Sequence, residues 1–167
     1  MIVNLPFFVA AGNVPDCLMR AGSTALARVW GLGVEEFSYL DSPRKVLNSL
    51  PKGKSLGCLL GDVAINTSKE GSWLECLGAW RKPVVFFVRP LPSGEIPGAA
   101  YAYTALCRQY DVQLLGIVQL GGSWELDRRR LDNLPWCGWL NENEKSIKNS
   151  IYLEEVIENL KKRMIYM

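Results

Sequence analysis

The sequence predicts an α/β protein, a three-layer sandwich in which helices cover both faces of a mainly parallel sheet. Short apolar runs alternate with longer segments of helical periodicity along the chain. The run Pro83–Val88 (PVVFFV) is apolar throughout, as expected of a central parallel strand covered on both faces. The 167 residues suffice for one domain with a sizeable core, which we take as residues 1–167.

Proline and glycine mark where the predicted helices of the first half begin and end. Pro15 and Pro43 stand in first turns, where the missing N–H is not needed, and Gly31 and Gly33 stop the first helix. Its buried stripe is expected to contain Leu18, Ala21, Ala25, Leu26 and Val29. The predicted elements are a strand at Leu5–Ala10, a loop at Ala11–Asn13, a helix from Pro15 to about Trp30, a strand at Glu36–Leu40, a helix from Pro43 to Leu50, a strand at Ser55–Val63 and a helix at Trp73–Trp80.

The same alternation continues in the second half. After the central strand we predict a loop at Arg89–Pro97, a helix at Gly98–Tyr110, a strand at Gln113–Leu120, a polar segment at Gly121–Asn133 ending in a basic helical turn, a short strand or extended piece at Pro135–Leu140, a solvated linker at Asn141–Asn149 and a helix at Ile151–Met164. The last helix is amphipathic, so we expect it to pack on the sheet.

Two residue counts limit the chemistry. The chain has no histidine, which excludes Ser-His-Asp and Cys-His relays and removes the commonest zinc ligand. The five cysteines, Cys17, Cys58, Cys76, Cys107 and Cys137, include no C-x-x-C pair. We therefore expect free, inert thiols in a reducing cytosol.

Charge and hydropathy limit the partners. A formal charge of +2, from 19 basic and 17 acidic residues, gives no electrostatic footprint for nucleic acid or an anionic membrane. No window approaches the roughly 20 apolar residues of a membrane span. We expect a cytoplasmic protein that binds neither nucleic acid nor membrane. The expected partner is another protein or a second copy of the chain, in a homodimer, and the sequence does not name a small-molecule ligand.

Three stretches of the second half resemble dethiobiotin synthetases, a branch of the P-loop NTPases. They are Lys82–Val88, which leads through Pro83 into an apolar strand, Leu115–Gln119 (LLGIVQ in its context), and Leu134–Leu140 (LPWCGWL) before the last helix. By element order the likeness extends over roughly two-thirds of the chain. The resemblance implies a P-loop NTPase-like fold and, for an intact family member, ATP and magnesium as cofactors.

The segment that would bind phosphate departs from the family pattern. A P-loop needs G-x-x-x-x-G-K and a serine or threonine between a strand and a helix, so that backbone N–H groups, the lysine and a magnesium ion hold the phosphates. Ala11–Leu18 instead reads AGNVPDCL, without lysine, and Asp16 would repel a triphosphate. Asn48–Ser55 (NSLPKGKS) ends like a P-loop, but a strand follows it, so a solvated turn is favoured.

Other positions also differ from the family. Tyr39-Leu40-Asp41 stands where the family carries a lysine, and Gly61–Asn66 stands where it carries a glutamate followed by Gly-rich sequence. Gln119 or Gly121 occupies the place of the adenine-reading asparagine. Asp62 is explained equally well as a magnesium or substrate contact and as a turn residue.

Ligands of open parallel α/β sheets bind beyond the carboxyl ends of the strands, so the residues that follow the strands are candidates. No residue stands out as catalytic, and Asp62 is a metal ligand only if a magnesium nucleotide binds. For Arg89, which could grip a carboxylate or phosphate, a salt bridge to an acid such as Glu95 is the favoured interpretation. The ligand-binding candidates are Gly12, Asn13, Asp41, Asp62, Asn66, Arg89, Ser93, Gln119 and Trp124.

Two further clusters have a functional and a structural interpretation. Trp124, Trp136 and Trp139 could form a stacking or protein-contact patch, but core filling is favoured because large aromatics dominate core burial. Asp127-Arg128-Arg129-Arg130 is interpreted as a solvated helical face.

The function predicted from these observations is binding, as a regulatory or assembly module on a scaffold that has lost its phosphate loop and needs no cofactor. Phosphoryl transfer depends on positioning and charge neutralisation, and the residues for both are missing. Two alternatives stay open. One is an ATP- and magnesium-dependent ligase of the dethiobiotin synthetase type that uses other lysines, such as Lys54 or Lys69. The other is a small-ligand binder that uses the carboxyl ends of the strands.

Overall fold

The computed structural model describes residues 4–50, 53–67, 69–142 and 151–166, in which six strands and six helices alternate. The strands are β1 (Phe7–Ala10), β2 (Gly33–Ser38), β3 (Ser55–Leu60), β4 (Val84–Val88), β5 (Leu114–Leu120) and β6 (Trp136–Leu140). The helices are α1 (Asp16–Trp30), α2 (Pro43–Ser49), α3 (Trp73–Ala79), α4 (Gly98–Gln109), α5 (Leu126–Leu131) and α6 (Ile151–Ile165). The solvated linker predicted at Asn141–Asn149 lies mostly outside the described residues.

The strands form one sheet in the order β2-β3-β1-β4-β5-β6, and all five neighbouring pairs are parallel. All carboxyl ends therefore lie at the same edge of the sheet. From β1 the chain moves to one side through β2 and β3 and then crosses to the other side of β1 with β4. The strand order thus reverses between β1 and β4, which is where open α/β sheets have their ligand crevice.

Helices cover both faces of the sheet, as the sequence predicts. Side chains alternate along each strand, so Phe8 and Phe87 face α1 and α6, while Phe7 and Phe86 face α2, α3 and α4. Phe8 and Phe87 stack on the first face with ring centroids 5.1 Å apart. Among the described residues, no helix combines the length and hydropathy that crossing a bilayer requires.

Two details differ from the sequence prediction. β2 begins at Gly33 and ends at Ser38, because it pairs in register with β3 from Ser55 to Leu60 at the edge of the sheet. β2 contains two acidic residues and no run of apolar residues, so its sequence pattern does not indicate where the strand begins. The α1 stripe includes Ala25 and Leu26 as predicted, but Val29 is exposed and the other buried positions are Met19, Gly22, Ser23 and Ala27.

Candidate functional site

The carboxyl edge of the sheet brings together most of the residues that the sequence singles out. Because β1 lies between β3 and β4, the loop Ala11–Pro15 lies between Asp62, which follows β3, and Arg89, which follows β4. Asp41 and Glu142 follow the outer strands β2 and β6. The site is therefore a row of loops centred on the crevice between β1 and β4.

The loop after β1 offers few groups to an anion. The Ala11 N–H donates to the Phe87 carbonyl at 3.0 Å, and Pro15 has no N–H, so within the loop at most Gly12, Asn13 and Val14 keep a free donor. The first turn of α1 adds the N–H groups of Asp16 and Cys17, which have no acceptor within the helix. Gly12 has a φ of +102°, and a Cβ there would lie 3.1 Å from that of Ala99 at the start of α4. The loop thus folds closely onto α4.

The beginning of α1 carries a negative charge of its own. Asp16 is the first residue of the helix, and its carboxylate occupies the end where the helix dipole favours an anion. From the end of β1, the first basic side chain along the chain is Arg20, whose Nε donates to Glu36 Oε2 at 2.9 Å. The first turn of α1 therefore carries a carboxylate and no basic side chain.

Asp62 is held by two donors from the protein itself. Its Oδ1 accepts a hydrogen bond from the Tyr103 hydroxyl and another from the Ala64 N–H at 2.9 Å. Tyr103 lies on α4, with its ring edge-on to Phe86 at 6.0 Å. Burial, and then the Asp62 carboxylate, raises the pKa of the Tyr103 hydroxyl above its ordinary value of 10.0, so the phenol remains a donor at neutral pH.

Sequence reasoning missed Tyr103, because it stands 41 positions from Asp62. The helical spacing of Ala100, Thr104 and Cys107, all buried, identifies the face of α4 that packs on the sheet. Tyr103 lies beside that stripe with its hydroxyl toward the carboxyl edge. This helical spacing is the feature of the sequence from which the position of Tyr103 on α4 could have been inferred.

Arg89 forms a salt bridge, as the favoured interpretation predicts, but its partner is Glu142 and not Glu95. Arg89 Nη2 lies 3.1 Å from Glu142 Oε2, which joins the end of β4 to the end of β6 across β5. Glu95 instead accepts a hydrogen bond from the Ser93 hydroxyl at 3.4 Å within its own loop. Both side chains of the Arg89–Glu142 pair are about half exposed, so solvent still reaches the pair.

Three other candidates serve local structure or face solvent. Asp41 Oδ2 accepts from the Ser38 N–H at 2.7 Å and closes the turn after β2. Gln119 is fully buried, and its amide nitrogen donates to the carbonyls of Gly121 and Ser123 at 2.8 and 3.0 Å, which holds the turn after β5. The side chains of Asn66 and Asn13 are exposed to solvent.

Trp124 lies away from the other candidates. The chain after β5 turns back from the carboxyl edge, and Trp124 meets Trp136 at the start of β6, edge-on at 5.8 Å. Both, like Trp139, are half-buried, so core filling does not describe the three. Arg129 is also not on a solvated face, because it is 3% exposed and pairs with Asp132 at 2.8 Å.

The cysteines are free, as predicted. Cys58, Cys76, Cys107 and Cys137 are buried and Cys17 is exposed. Burial raises the pKa of Cys58 and Cys137 to about 11 and that of Cys107 to about 12, so these thiols are neutral at physiological pH. Within the described ranges, no three acidic or cysteine side chains cluster as metal ligands would.

The two lysines considered for phosphate binding lie at different edges. Lys54 directly precedes β3, so it stands at the amino edge, opposite the loop after β1. This placement also puts the end of the NSLPKGKS stretch at the wrong edge for that loop, with β3 directly after it. Lys69, in the connection from β3 to α3, is on the carboxyl side and exposed.

Comparison with known proteins identifies the fold. No protein-family model matches the chain, and no curated protein matches it. Among solved structures it is similar to the MinD cell division protein of Aquifex aeolicus, with a TM-score of 0.55, 12% sequence identity, and coverage of 96% of this chain and 97% of that one. MinD is a P-loop NTPase with a parallel sheet. The chain therefore has a P-loop NTPase-like fold, the three-layer sandwich that the sequence predicts.

Proposed function

We propose that this protein uses the P-loop NTPase-like scaffold without nucleotide, as a binding module that regulates or helps to assemble another protein. The observation that carries the proposal is the loop after β1. It has at most three free N–H groups, has no lysine, and leads into a helix that opens with Asp16. Phosphoryl transfer is catalysed by positioning and by neutralising charge, and this loop supplies little of either.

The groups around the loop support the same conclusion. Asp62, which would have to bind magnesium, is bonded to Tyr103 and Ala64, and Arg89 is paired with Glu142. Each of these charged groups already has a partner inside the protein. A nucleotide that used Arg89 would have to break its ion pair with Glu142 as well as overcome the charge of Asp16.

A kinship with dethiobiotin synthetases remains part of this proposal. It rests on the order of Lys82–Val88, Leu115–Gln119 and Leu134–Leu140, which form β4, β5 and β6 with the residues around them. In this interpretation the three strands retain the family pattern and the phosphate loop has been lost. A homodimer is the form of partnership that we predict.

The alternative is an ATP-dependent ligase that recruits Lys69 and Asp62. One placement favours it: both residues belong to the connection after β3, beside the loop after β1. Lys54 has no part in this alternative, because it stands at the amino edge. A small-ligand binder at the same edge would use these residues without ATP.

Titration calorimetry with ATP and magnesium separates these proposals. We expect no binding at or below about 1 mM and no phosphate release above the buffer rate. The ligase alternative instead requires binding that is lost in Asp62→Asn and kept in Asp127→Asn, a control carboxylate whose side chain is 96% exposed. Binding with that pattern would refute the proposed function.

A further inference from the structure

A second region of the molecule has the features of a ligand site. A cavity of about 770 Å³ lies between α4 and α5, over the amino ends of β5 and β6. We call it the α4–α5 cavity. It arises because α5, with six residues, is too short to cover the outer strands beyond α4. Its volume falls within the range of small-molecule sites.

The charged residues of the cavity wall all have the same sign. Arg108, Arg129, Arg130 and Arg163 line it, and no described aspartate or glutamate does. Asp132 and Asp127, which lie beside the lining, pair with Arg129 and Arg130 and offset two of the four positive charges. A net positive charge therefore remains around the cavity.

The four arginines have two different tasks. Arg129 and Arg163 build the wall: Arg129 donates to Asp132 and to the Gly94 carbonyl, and Arg163 donates to the carbonyls of Leu115, Pro135 and Trp136 at 2.8 to 2.9 Å. Arg108 is exposed and has no ion pair or hydrogen bond among the described residues. Arg130 is exposed, and its pair with Asp127 is open to solvent. Arg108 and Arg130 are thus available to a ligand.

The rest of the wall is apolar and aromatic. Trp124 and Trp136 meet at an interplanar angle of 83°, and Arg129 lies over the Trp136 ring at 5.6 Å. Leu114, Leu126 and Leu134 extend this surface. Such a wall contacts a flat apolar group well, because indole rings offer large and rigid contact areas.

We propose that the α4–α5 cavity binds a small organic anion with a flat apolar body, such as an aromatic carboxylate. The acid group faces Arg108 and Arg130, whose planar guanidinium groups match a carboxylate. The apolar body contacts Trp124 and Leu134. The site lies away from the carboxyl edge, so it stands independently of the proposed function.

The test compares two probes of the same shape, 2-naphthoate and the neutral 2-naphthalenemethanol. Calorimetry measures their affinities, and the tryptophan indole N–H signals in NMR spectra report where they bind. We expect one saturable site for 2-naphthoate below about 1 mM, at least about tenfold weaker binding of the alcohol, and shifts of the Trp124 and Trp136 signals. Equal affinities, no saturable binding of the acid, or shifts confined to other tryptophans would overturn the proposal.

Variants at the rim of the cavity test whether Arg108 and Arg130 bind the carboxylate of the probe. Arg108→Gln combined with Arg130→Gln should weaken 2-naphthoate about tenfold and leave the alcohol unchanged, since both arginines are exposed and their loss spares the fold. The control Arg28→Gln removes an exposed arginine from α1, on the opposite face of the sheet. An equal loss of affinity in the control would show that net charge alone attracts the probe, and that would contradict the proposed site.

Discussion

The carboxyl edge of the sheet and the α4–α5 cavity differ in how their charged groups are used. At the carboxyl edge, charged groups bond to neighbouring protein groups, as Asp62 does to the neutral Tyr103 hydroxyl and Arg89 to Glu142. In the cavity the lining charges are all positive, and Arg108 has no partner in the described part of the chain.

Under our two proposals, this chain binds its ligand away from the place where its fold usually binds one. In parallel α/β sheets the carboxyl edge is the expected site. Here Asp41, Gln119 and Arg89 are used in turns and loop contacts, so a ligand that needs them has to compete with existing bonds. Arginines without a buried partner, Arg108 and Arg130, and two half-buried indoles, Trp124 and Trp136, instead lie together over the amino ends of β5 and β6.

The largest expected effect comes from Arg129 in the cavity wall. Arg129→Met should lower the free energy of unfolding by about 3 kcal/mol, because it leaves the Asp132 carboxylate and the Gly94 carbonyl without their buried donor. The neighbouring control Arg130→Met removes an ion pair whose side chains are 69% and 96% exposed and should change stability by less than about 1 kcal/mol. Urea unfolding measures both. Equal losses would mean that Arg129 is not a structural part of the wall.

At the carboxyl edge, Tyr103→Phe should cost about 1 kcal/mol at pH 8, because it removes one hydrogen bond to a carboxylate. The pKa of Tyr103 is raised in the folded state, so the unfolded chain ionises first once the pH passes the ordinary value of 10.0. This contribution is fully present below pH 10 and is lost as the pH rises above it. The stability difference between wild type and variant should therefore shrink by about pH 11.

A matched control makes the pH test specific to Tyr103. Tyr110→Phe removes a half-buried phenol whose hydroxyl has no hydrogen bond among the described residues. Because it breaks no such bond, Tyr110→Phe should not reproduce the loss of about 1 kcal/mol that we expect for Tyr103→Phe at pH 8. If both variants lose the same free energy of unfolding at each of the two pH values, the hydrogen bond between Tyr103 and Asp62 does not stabilise the fold.

A smaller effect is expected for the pair of Arg89 and Glu142. Both side chains are nearly half exposed, so Glu142→Gln should lower the free energy of unfolding by less than about 1 kcal/mol. The loss should diminish further in about 1 M salt, which screens exposed charges. A loss above about 2 kcal/mol that salt does not change would show that this part of the carboxyl edge is buried and rigid.

The cysteines probe both regions without changing stability. Ellman's reagent should modify Cys17 in the folded protein and leave the four buried thiols intact, including Cys107 in the cavity wall. All five should react in denaturant. Because Cys17→Ser removes the exposed thiol, it should abolish the fast reaction. Fast modification that persists in this variant would mean that the cavity or the core opens readily.

The fold was predictable because each of its parts leaves a local signal. Pro83–Val88 reads as a central strand because every residue is apolar, and β4 occupies Val84–Val88 in the structure. Pro15 and Gly31 bracket α1, and Gly31, which follows its last residue, adopts the left-handed conformation. β2 was displaced in the prediction because an edge strand buries only part of its surface and tolerates Glu35 and Glu36.

The site was less predictable because its contacts join distant parts of the chain. Position after a strand correctly placed Asp62 and Arg89 at the carboxyl edge, but their partners are 41 and 53 residues away, and no local pattern indicates them. The run of three arginines in α5 reads as a solvated face, yet Arg129 is buried because Asp132 and Gly94 lie within its reach. The cavity depends on α5 being short, which no single residue encodes.

One NMR experiment tests the central claim most directly, which is that the loop after β1 does not bind a nucleotide. Amide spectra of the ¹⁵N-labelled protein are recorded with about 5 mM ATP and magnesium, and the signals of Gly12, Asn13 and Val14 are followed. We predict that these signals do not move, whereas 2-naphthoate shifts the indole signals of Trp124 and Trp136. Saturable shifts of the loop amides with ATP would contradict the account.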